Sequence, residues 1–229
     1  MILSKFRGLI ASIQFAITIL LVIGLMYAFK KYNHKIRFFW AKLEMYLLGV
    51  KFEFEGELDS GADLLMINHQ SLLDIVILES LHPRNIAWVA KKEIGNIPVF
   101  GHILKAPKMI SVDRENKAGL IALLKDVKDR LDSGRPIAIF PEGTRSSGDE
   151  LLSFKPGAKM IAEKYNLKIQ PIVMLHTRTI LDSKNLSANP GIVKIKYLPS
   201  FIPQKGTSWY EELETNMREI VFKEFNNVA

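Results

Sequence analysis

The 229-residue chain contains no cysteine. Disulfides, thiolate metal sites and a cysteine nucleophile are therefore excluded, and the composition fits a reducing compartment. Charge is absent where apolarity is greatest. Gly8 to Phe29 runs for 22 residues without a charged side chain, and only Ser12, Gln14 and Thr18 are clearly polar. Acid is nearly missing from the first 49 residues, which hold seven Lys or Arg and one acid, Glu44. The remainder holds 24 basic and 23 acidic residues, so the net charge of +7 belongs almost wholly to the N-terminal segment. A nucleic-acid partner calls for basic residues spread over a binding face, and none is expected here. A basic segment beside an apolar one suits the anionic headgroups of membrane phospholipids. Among the five histidines, His82, His102 and His176 show no metal-ligand spacing, so neither a metal nor a cofactor is expected. There is no internal repeat, no low-complexity linker and no Gly-x-Ser-x-Gly elbow for a serine acyl-enzyme.

What is present begins with the apolar run itself. As a helix it is about 33 Å long, against a bilayer hydrocarbon core of about 30 Å. A soluble core helix is rarely so uniformly apolar. A signal peptide has a shorter apolar region and a small-x-small cleavage site, which Tyr27-Ala28-Phe29-Lys30-Lys31 lacks. A membrane helix is the expectation. Ile36 to Val50 follows with Phe39, Trp40, Leu43, Tyr46 and Leu47 among Lys35, Arg37, Lys42 and Glu44, an amphipathic pattern suited to the interface. Lys5 and Arg7 precede the first helix and Lys30, Lys31, Lys35 and Arg37 follow it. The larger downstream count favours a catalytic domain on the cytoplasmic side, while the near-symmetry leaves open a helix that dips rather than spans. The expected division is an anchoring segment over 1–49 and a catalytic domain over 50–229.

From residue 50 strand-like and helix-like stretches alternate. Val50–Phe54, Asp63–Ile67, Ile86–Ala90, Met109–Asp113, Pro136–Phe140, Ile169–Val173 and Ile192–Leu198 read as strands. Ser71–Leu81, Asn116–Leu131, Gly157–Tyr165 and Trp209–Phe225 read as helices, and Ser183–Pro190 as a flexible loop. The implied fold is α/β, a largely parallel or mixed sheet flanked by helices. Two polar clusters then follow strands directly, where open α/β sheets bind ligands.

The first cluster is Asn68-His69-Gln70-Ser71-Leu72-Leu73-Asp74. A histidine poised by a carboxylate can take a proton from an alcohol. Five helical residues turn about 500°, leaving His69 and Asp74 about 140° apart on a helix. They meet only if His69 lies in the strand-to-helix loop and Asp74 in the first helical turn. Ser71-Leu72-Leu73-Asp74 also matches a capping box, so a purely structural role for Asp74 stands beside the catalytic one. The second cluster is Phe140-Pro141-Glu142-Gly143-Thr144-Arg145-Ser146. Gly143 lets the backbone approach a ligand, and the planar fork of Arg145 matches phosphate oxygens. The alternative is a surface turn holding a local Glu–Arg pair. Between the clusters, residues 84–117 carry seven Lys or Arg, Lys91 and Arg114 among them, against Glu93, Asp113 and Glu115. This excess can meet a substrate phosphate or an acidic carrier protein. Ile94, Ile97, Val99, Phe100, Ile103 and Leu104 fit the lining of an apolar channel, with ordinary core as the expectation for most of them.

These residues carry a resemblance. Asn-His-x4-Asp followed at this distance by Phe-Pro-Glu-Gly-Thr-Arg-Ser resembles the 1-acyl-sn-glycerol-3-phosphate (lysophosphatidate) acyltransferase family. Met109-Ile110-Ser111-Val112-Asp113-Arg114 and Gln170-Pro171-Ile172-Val173 resemble two further blocks of that family, in the same order. Lys91–Gly101 and Phe154-Lys155-Pro156-Gly157 agree with it too, and the likeness runs from about residue 50 to 200. Asn68 and Thr144 favour the lysophosphatidate branch over the glycerol-3-phosphate branch. The resemblance implies acyl transfer from acyl-carrier protein or acyl-CoA to the sn-2 hydroxyl of lysophosphatidate, giving phosphatidate in phospholipid biosynthesis. It implies His69 as general base, Asp74 as its orienter, and Glu142, Gly143, Thr144, Arg145, Arg114 and Lys91 around the acceptor head. Because a carboxylate repels phosphate, Glu142 is expected to orient Arg145 or take a glycerol hydroxyl. The alternatives are another lyso-lipid acceptor, transacylation between phospholipids, or a non-catalytic lipid-binding protein.

Overall fold

In the computed structural model, which describes residues 2–113 and 117–226, a seven-stranded sheet lies between two helical layers. Helices α1 (Ile2–Ala28) and α2 (Asn33–Leu47) lead into β1 (Val50–Glu55), β2 (Leu64–Ile67) and α3 (Leu73–Leu81). Then come β3 (Ala87–Lys91), the short helices α4 (Lys92–Gly95) and α5 (His102–Lys105), β4 (Ile110–Val112) and α6 (Lys117–Asp132). The chain continues through β5 (Ile137–Ile139), α7 (Pro156–Tyr165), β6 (Ile169–Leu175) and α8 (Thr177–Ile180). It ends with the hairpin β7 (Leu181–Asp182) and β8 (Ser187–Ala188), then β9 (Gly191–Tyr197) and α9 (Trp209–Asn226).

The strand order is β1-β9-β6-β2-β5-β3-β4. All neighbours are parallel except β6 and β9, so β1 and β9 run against the other five. The sheet is therefore mixed, as the α/β pattern predicted. In the fully buried β2, alternation sends Leu65 and Ile67 to the core face shared with α2 and α3. It sends Leu64 and Met66 to the face covered by α6, α7 and α9. Burial on both faces explains why this strand is an unbroken apolar run rather than an alternating one. The parallel β2, β5, β3 and β4 bring their carboxyl ends to one edge, where both polar clusters emerge.

The apolar helix packs on the domain instead of projecting from it. Gly8, Ala11, Val22, Ile23 and Met26 are its buried face, at the three- and four-residue spacing of one helical stripe. Its polar residues explain themselves here. Gln14 Nε2 donates to both oxygens of the buried Glu44 carboxylate on α2, at 2.8 and 2.9 Å, and Thr18 Oγ1 donates to it at 2.7 Å. Gly8 lies so close to the β7–β8 turn that a Cβ there would stand 2.1 Å from the Leu186 carbonyl oxygen. Leu9, Ile10, Ile13, Ile17, Leu20 and Leu21 on the outer face are exposed. Among the described residues α1 is the one helix long and apolar enough to cross a membrane. From α2, buried Arg37 pairs with Glu79 of α3, which also accepts from Trp88 Nε1 at 2.9 Å.

Two expectations need correction. Ile94, Ile97, Val99 and Phe100 are exposed rather than core, because the segment from α4 to α5 lies along the β3–β4 edge of the sheet and α1 packs on its α5 end, at Ile103 and Ala106. Ser183–Pro190 is mostly the turn and second strand of a hairpin packed on α1 and α8.

Candidate active site

The chain leaves the sheet at Asn68, which is buried. Its side-chain amide donates to Met174 O at 2.9 Å and its Oδ1 accepts from Met174 N at 2.7 Å. The side chain thus stands in for one rung of the β2–β6 ladder, and frees the main chain to turn outward to His69. Asn68 serves the turn, and Thr144 lies exposed on the other loop.

Asp74, wholly buried, collects the turn on a single oxygen. Its Oδ2 accepts from Gln70 N at 2.7 Å, from Ser71 N at 2.9 Å and from the His69 ring, Nδ1 to Oδ2, at 2.8 Å. Ser71 Oγ accepts from Leu73 N at 3.1 Å and donates to Leu181 O at 2.6 Å. The capping and orienting arrangements therefore coexist in one carboxylate. The first helical residue is Leu73, two positions later than the sequence pattern indicates, with the N–H groups of Gln70 and Ser71 capped by Asp74 ahead of it. His69 stays in the loop and Asp74 in the first turn, as the spacing requires.

Across the β2–β5 seam, the ring of Phe140 stacks on that of His69, with centroids 3.7 Å apart and planes 10° from parallel, and Trp88 backs Phe140 at 5.4 Å. With Nδ1 committed to Asp74 and one face covered, the ring has a fixed orientation. Its Nε2 makes no hydrogen bond among the described residues, and the side chain is 13% exposed.

The second cluster forms a turn at the end of β5. Gly143 has φ +73°, a left-handed conformation that favours glycine, and its N–H bonds to Phe140 O at 3.0 Å. Glu142 does not meet Arg145. It is buried, with Oε1 accepting from His69 N at 2.6 Å and Oε2 from Leu152 N at 2.8 Å. Burial pushes its carboxyl up to about 7, against the two N–H groups that favour the ionised form. Arg145 is exposed at the tip, where Nη1 donates to Ser183 Oγ of the hairpin at 2.7 Å. The turn's far end is fixed: Ser146 N bonds to His69 O at 2.8 Å, and Arg178 Nη1 donates to Ser146 O at 2.6 Å. Lys91 is exposed at the carboxyl end of β3 on the same sheet edge. Arg114 lies outside the described residues. The structure thus brings together His69, Asp74, Glu142 and the Gly143–Arg145 tip.

Sequence pattern left Phe140, Arg178 and Ser183 without roles. The first lies 71 positions from His69 and meets it only through adjacent strands. The other two lie on the one-turn helix α8 and in the β7–β8 turn, segments too short to show a period.

A histidine–carboxylate pair, its outer nitrogen without a hydrogen bond among the described residues, thus lies beside an arginine-bearing turn on an open α/β sheet, an arrangement chemically suited to proton transfer beside an anion. The family model described as Acyltransferase matches residues 49–175, more than half of the chain and both polar clusters. The chain belongs to that family. It is 48% identical over 184 residues to a Helicobacter pylori 1-acyl-sn-glycerol-3-phosphate acyltransferase, covering 80% of this chain and 78% of that one. It is 32% identical over 182 residues to the Cocos nucifera protein of the same name, covering 79% of this chain but only 58% of that longer one. The fold matches the crystal structure of the Thermotoga maritima 1-acyl-sn-glycerophosphate acyltransferase PlsC, with a TM-score of 0.73, 24% identity and 98% of each chain covered.

Proposed function

We propose that this acyltransferase moves an acyl chain from a thioester to the sn-2 hydroxyl of 1-acylglycerol-3-phosphate, forming phosphatidate. The 2.8 Å contact of His69 Nδ1 with Asp74 Oδ2 carries the reading. It fixes the tautomer that leaves Nε2 as the acceptor for a proton. His69 Nε2 takes the hydroxyl proton as the oxygen attacks the thioester carbonyl. The tetrahedral intermediate then collapses, breaking the C–S bond, and the imidazolium returns its proton to the departing thiolate. Asp74 stabilises the imidazolium meanwhile. Transfer is direct, consistent with a chain that lacks cysteine.

Arg145 binds the acceptor phosphate, with Gly143 giving backbone access and Thr144 and Lys91 at the same edge. Arg114 joins them by family resemblance. Because β2 and β5 are neighbours, base and arginine turn start about 4.8 Å apart, within reach of one glycerol phosphate. Glu142 supports this arrangement from below by holding the His69 amide. Membrane attachment runs through the apolar outer face of α1, and the basic residues after it set the catalytic domain on the cytoplasmic side. The donor is acyl-CoA or acyl-carrier protein.

Purified protein in mixed micelles, given lysophosphatidate with each donor at several chain lengths, is expected to release phosphatidate and free thiol in equal amounts. Absence of product with both donors, or a clear preference for a lyso-lipid without a phosphate monoester, overturns the reading.

A further inference from the structure

A second charged region lies beyond β3, away from the His69 pair. A cleft of about 310 Å³ runs along the edge strand β4, between the α4–α5 segment and the end of α6. Lys92, Lys105, Lys108 and Arg130 line it together with Asn96 and Ser111, and its lining includes no carboxylate. Lys92 reaches Asp113 at its rim (3.4 Å), and Arg130 pairs with Asp129. Lys105 and Lys108 are exposed and make no ion pair among the described residues.

The turn that presents these two lysines is built from beneath. Arg135, only 8% exposed, donates to Pro107 O at 2.9 Å and Lys108 O at 3.3 Å, and ties them to Ile86 O at 2.9 Å. Arg130 Nε donates to Lys108 O at 2.7 Å. Lys108 is held at φ +51°, a left-handed conformation uncommon for lysine. Strained backbone persists where its surroundings over-determine it, and often at ligand sites. Two guanidinium groups thus spend donors on fixing a turn whose own side chains are cations facing solvent.

Charge says the ligand is anionic, and topology says where its other end can reach. By the strand registers the start of β4 lies level with Met66, so from His69 it is three inter-strand spacings across and three residues down, roughly 17 Å. A pantetheine arm with its two amides spans about five extended residues of chain, again about 17 Å. Leu104 and Met109 in the cleft wall offer apolar contact to the arm's methyl groups.

We propose that this cleft holds the phosphopantetheine phosphate of the acyl donor, the group that coenzyme A and acyl-carrier protein thioesters share. Lys105 and Lys108 contact the phosphate, and the arm runs past Lys92 to deliver the thioester to His69. The proposal rests on the acyl-transfer reading above.

The test is the double variant Lys105→Gln, Lys108→Gln, with a melting curve to show that it folds. KM for acyl-CoA and for acyl-carrier protein should both rise roughly tenfold or more, the weight of a lost charge-assisted hydrogen bond. KM for lysophosphatidate and kcat should hold, and acyl-pantetheine, which lacks the phosphate, should serve both proteins equally. A rise with only one carrier overturns the shared-phosphate assignment, as does an equal rise with acyl-pantetheine. Unchanged donor KM with lost pelleting on anionic phosphatidylglycerol vesicles assigns the lysines to the membrane surface and overturns it too. Calorimetric binding of free coenzyme A, expected to weaken about tenfold in the variant, tests the cleft without turnover. A wild type that binds coenzyme A but forms no phosphatidate counts against the function reading and not against the cleft.

Discussion

The two loops that make the site are held very differently. In the His69 loop, one buried carboxylate oxygen gathers three N–H donors, an amide side chain replaces a ladder rung, and an aromatic ring fixes the imidazole plane. In the Arg145 turn, Glu142 and Ser146 are buried anchors, yet Thr144 and Arg145 between them are exposed, and Arg145's link to the hairpin is a single hydroxyl. The difference matches the tasks proposed for them. A general base gains from preorganisation, since small displacements cost large factors in rate. A headgroup ligand must admit and release a lipid, and can close its bonds on arrival.

Substitutions should separate the two loops by which kinetic constant they move. His69→Ala leaves the backbone bonds of the loop in place, so kcat is expected to fall about 10²–10⁴-fold with the fold intact. Near-normal turnover in a phosphatidate assay would refute the base assignment. Asp74→Asn comes next. Asparagine can keep its carbonyl toward Gln70 N and Ser71 N, but it removes the charge that steadies an imidazolium. Its amide nitrogen lands where Asp74 Oδ1 now sits buried without a partner. A stability loss of about 1–3 kcal/mol is expected from that buried donor, beside a kcat loss of about 10²-fold or more. Equal melting with unchanged kcat would reduce Asp74 to a cap. Arg145→Ala should act on the other constant, raising KM for lysophosphatidate about 10–100-fold, the equivalent of one or two charge-assisted bonds. A loss confined to kcat would mean that the two loops do not divide the work this way.

Glu142 sharpens the comparison because it belongs to both loops. Its folded pKa, raised from 4.5 to about 7 chiefly by burial, means that the folded protein holds this proton more tightly than the unfolded chain does. That preference stabilises the fold fully below pH 4.5 and is lost as pH rises through about 7. Glu142→Gln does not titrate, so the stability of wild type relative to this variant should decline across that window. Urea melts at closely spaced pH values read the sign directly, and a rising difference would contradict it. Away from the window, Gln sets one N–H donor against another, at a cost of about 1–3 kcal/mol.

Much of this was legible in the sequence, for identifiable reasons. Buried parallel strands are unbroken apolar runs, so Leu64–Ile67 and Ile137–Ile139 marked the clusters that follow them. The 140° offset between His69 and Asp74 already demanded a loop position for His69. What was hidden depends on contacts between distant segments. Glu142 looked like a partner for Arg145 three residues on, but a left-handed Gly143 turns the chain between them and sends Glu142 inward to the His69 amide. Phe140 carries no role in the sequence pattern, because its contact with His69 exists only through β2–β5 pairing. Helices of one turn and a two-rung hairpin carry too few residues to show any period.

That hairpin supports the smallest of the expected effects. Its turn is pinned on one side by Gly8 of the apolar helix and offers Ser183 to Arg145 on the other. Ser183→Ala removes a partner from an exposed guanidinium, which water can replace, so stability should stay within about 0.5 kcal/mol. If the hydroxyl holds Arg145 ready for the phosphate, KM for lysophosphatidate should still rise about two- to threefold with kcat unchanged, since a surface bond of this kind is worth about 0.5 kcal/mol. An unchanged KM would show that Arg145 finds its geometry from the substrate alone. The exposed loop would then differ from the His69 loop completely, with no preorganisation beyond its buried anchors.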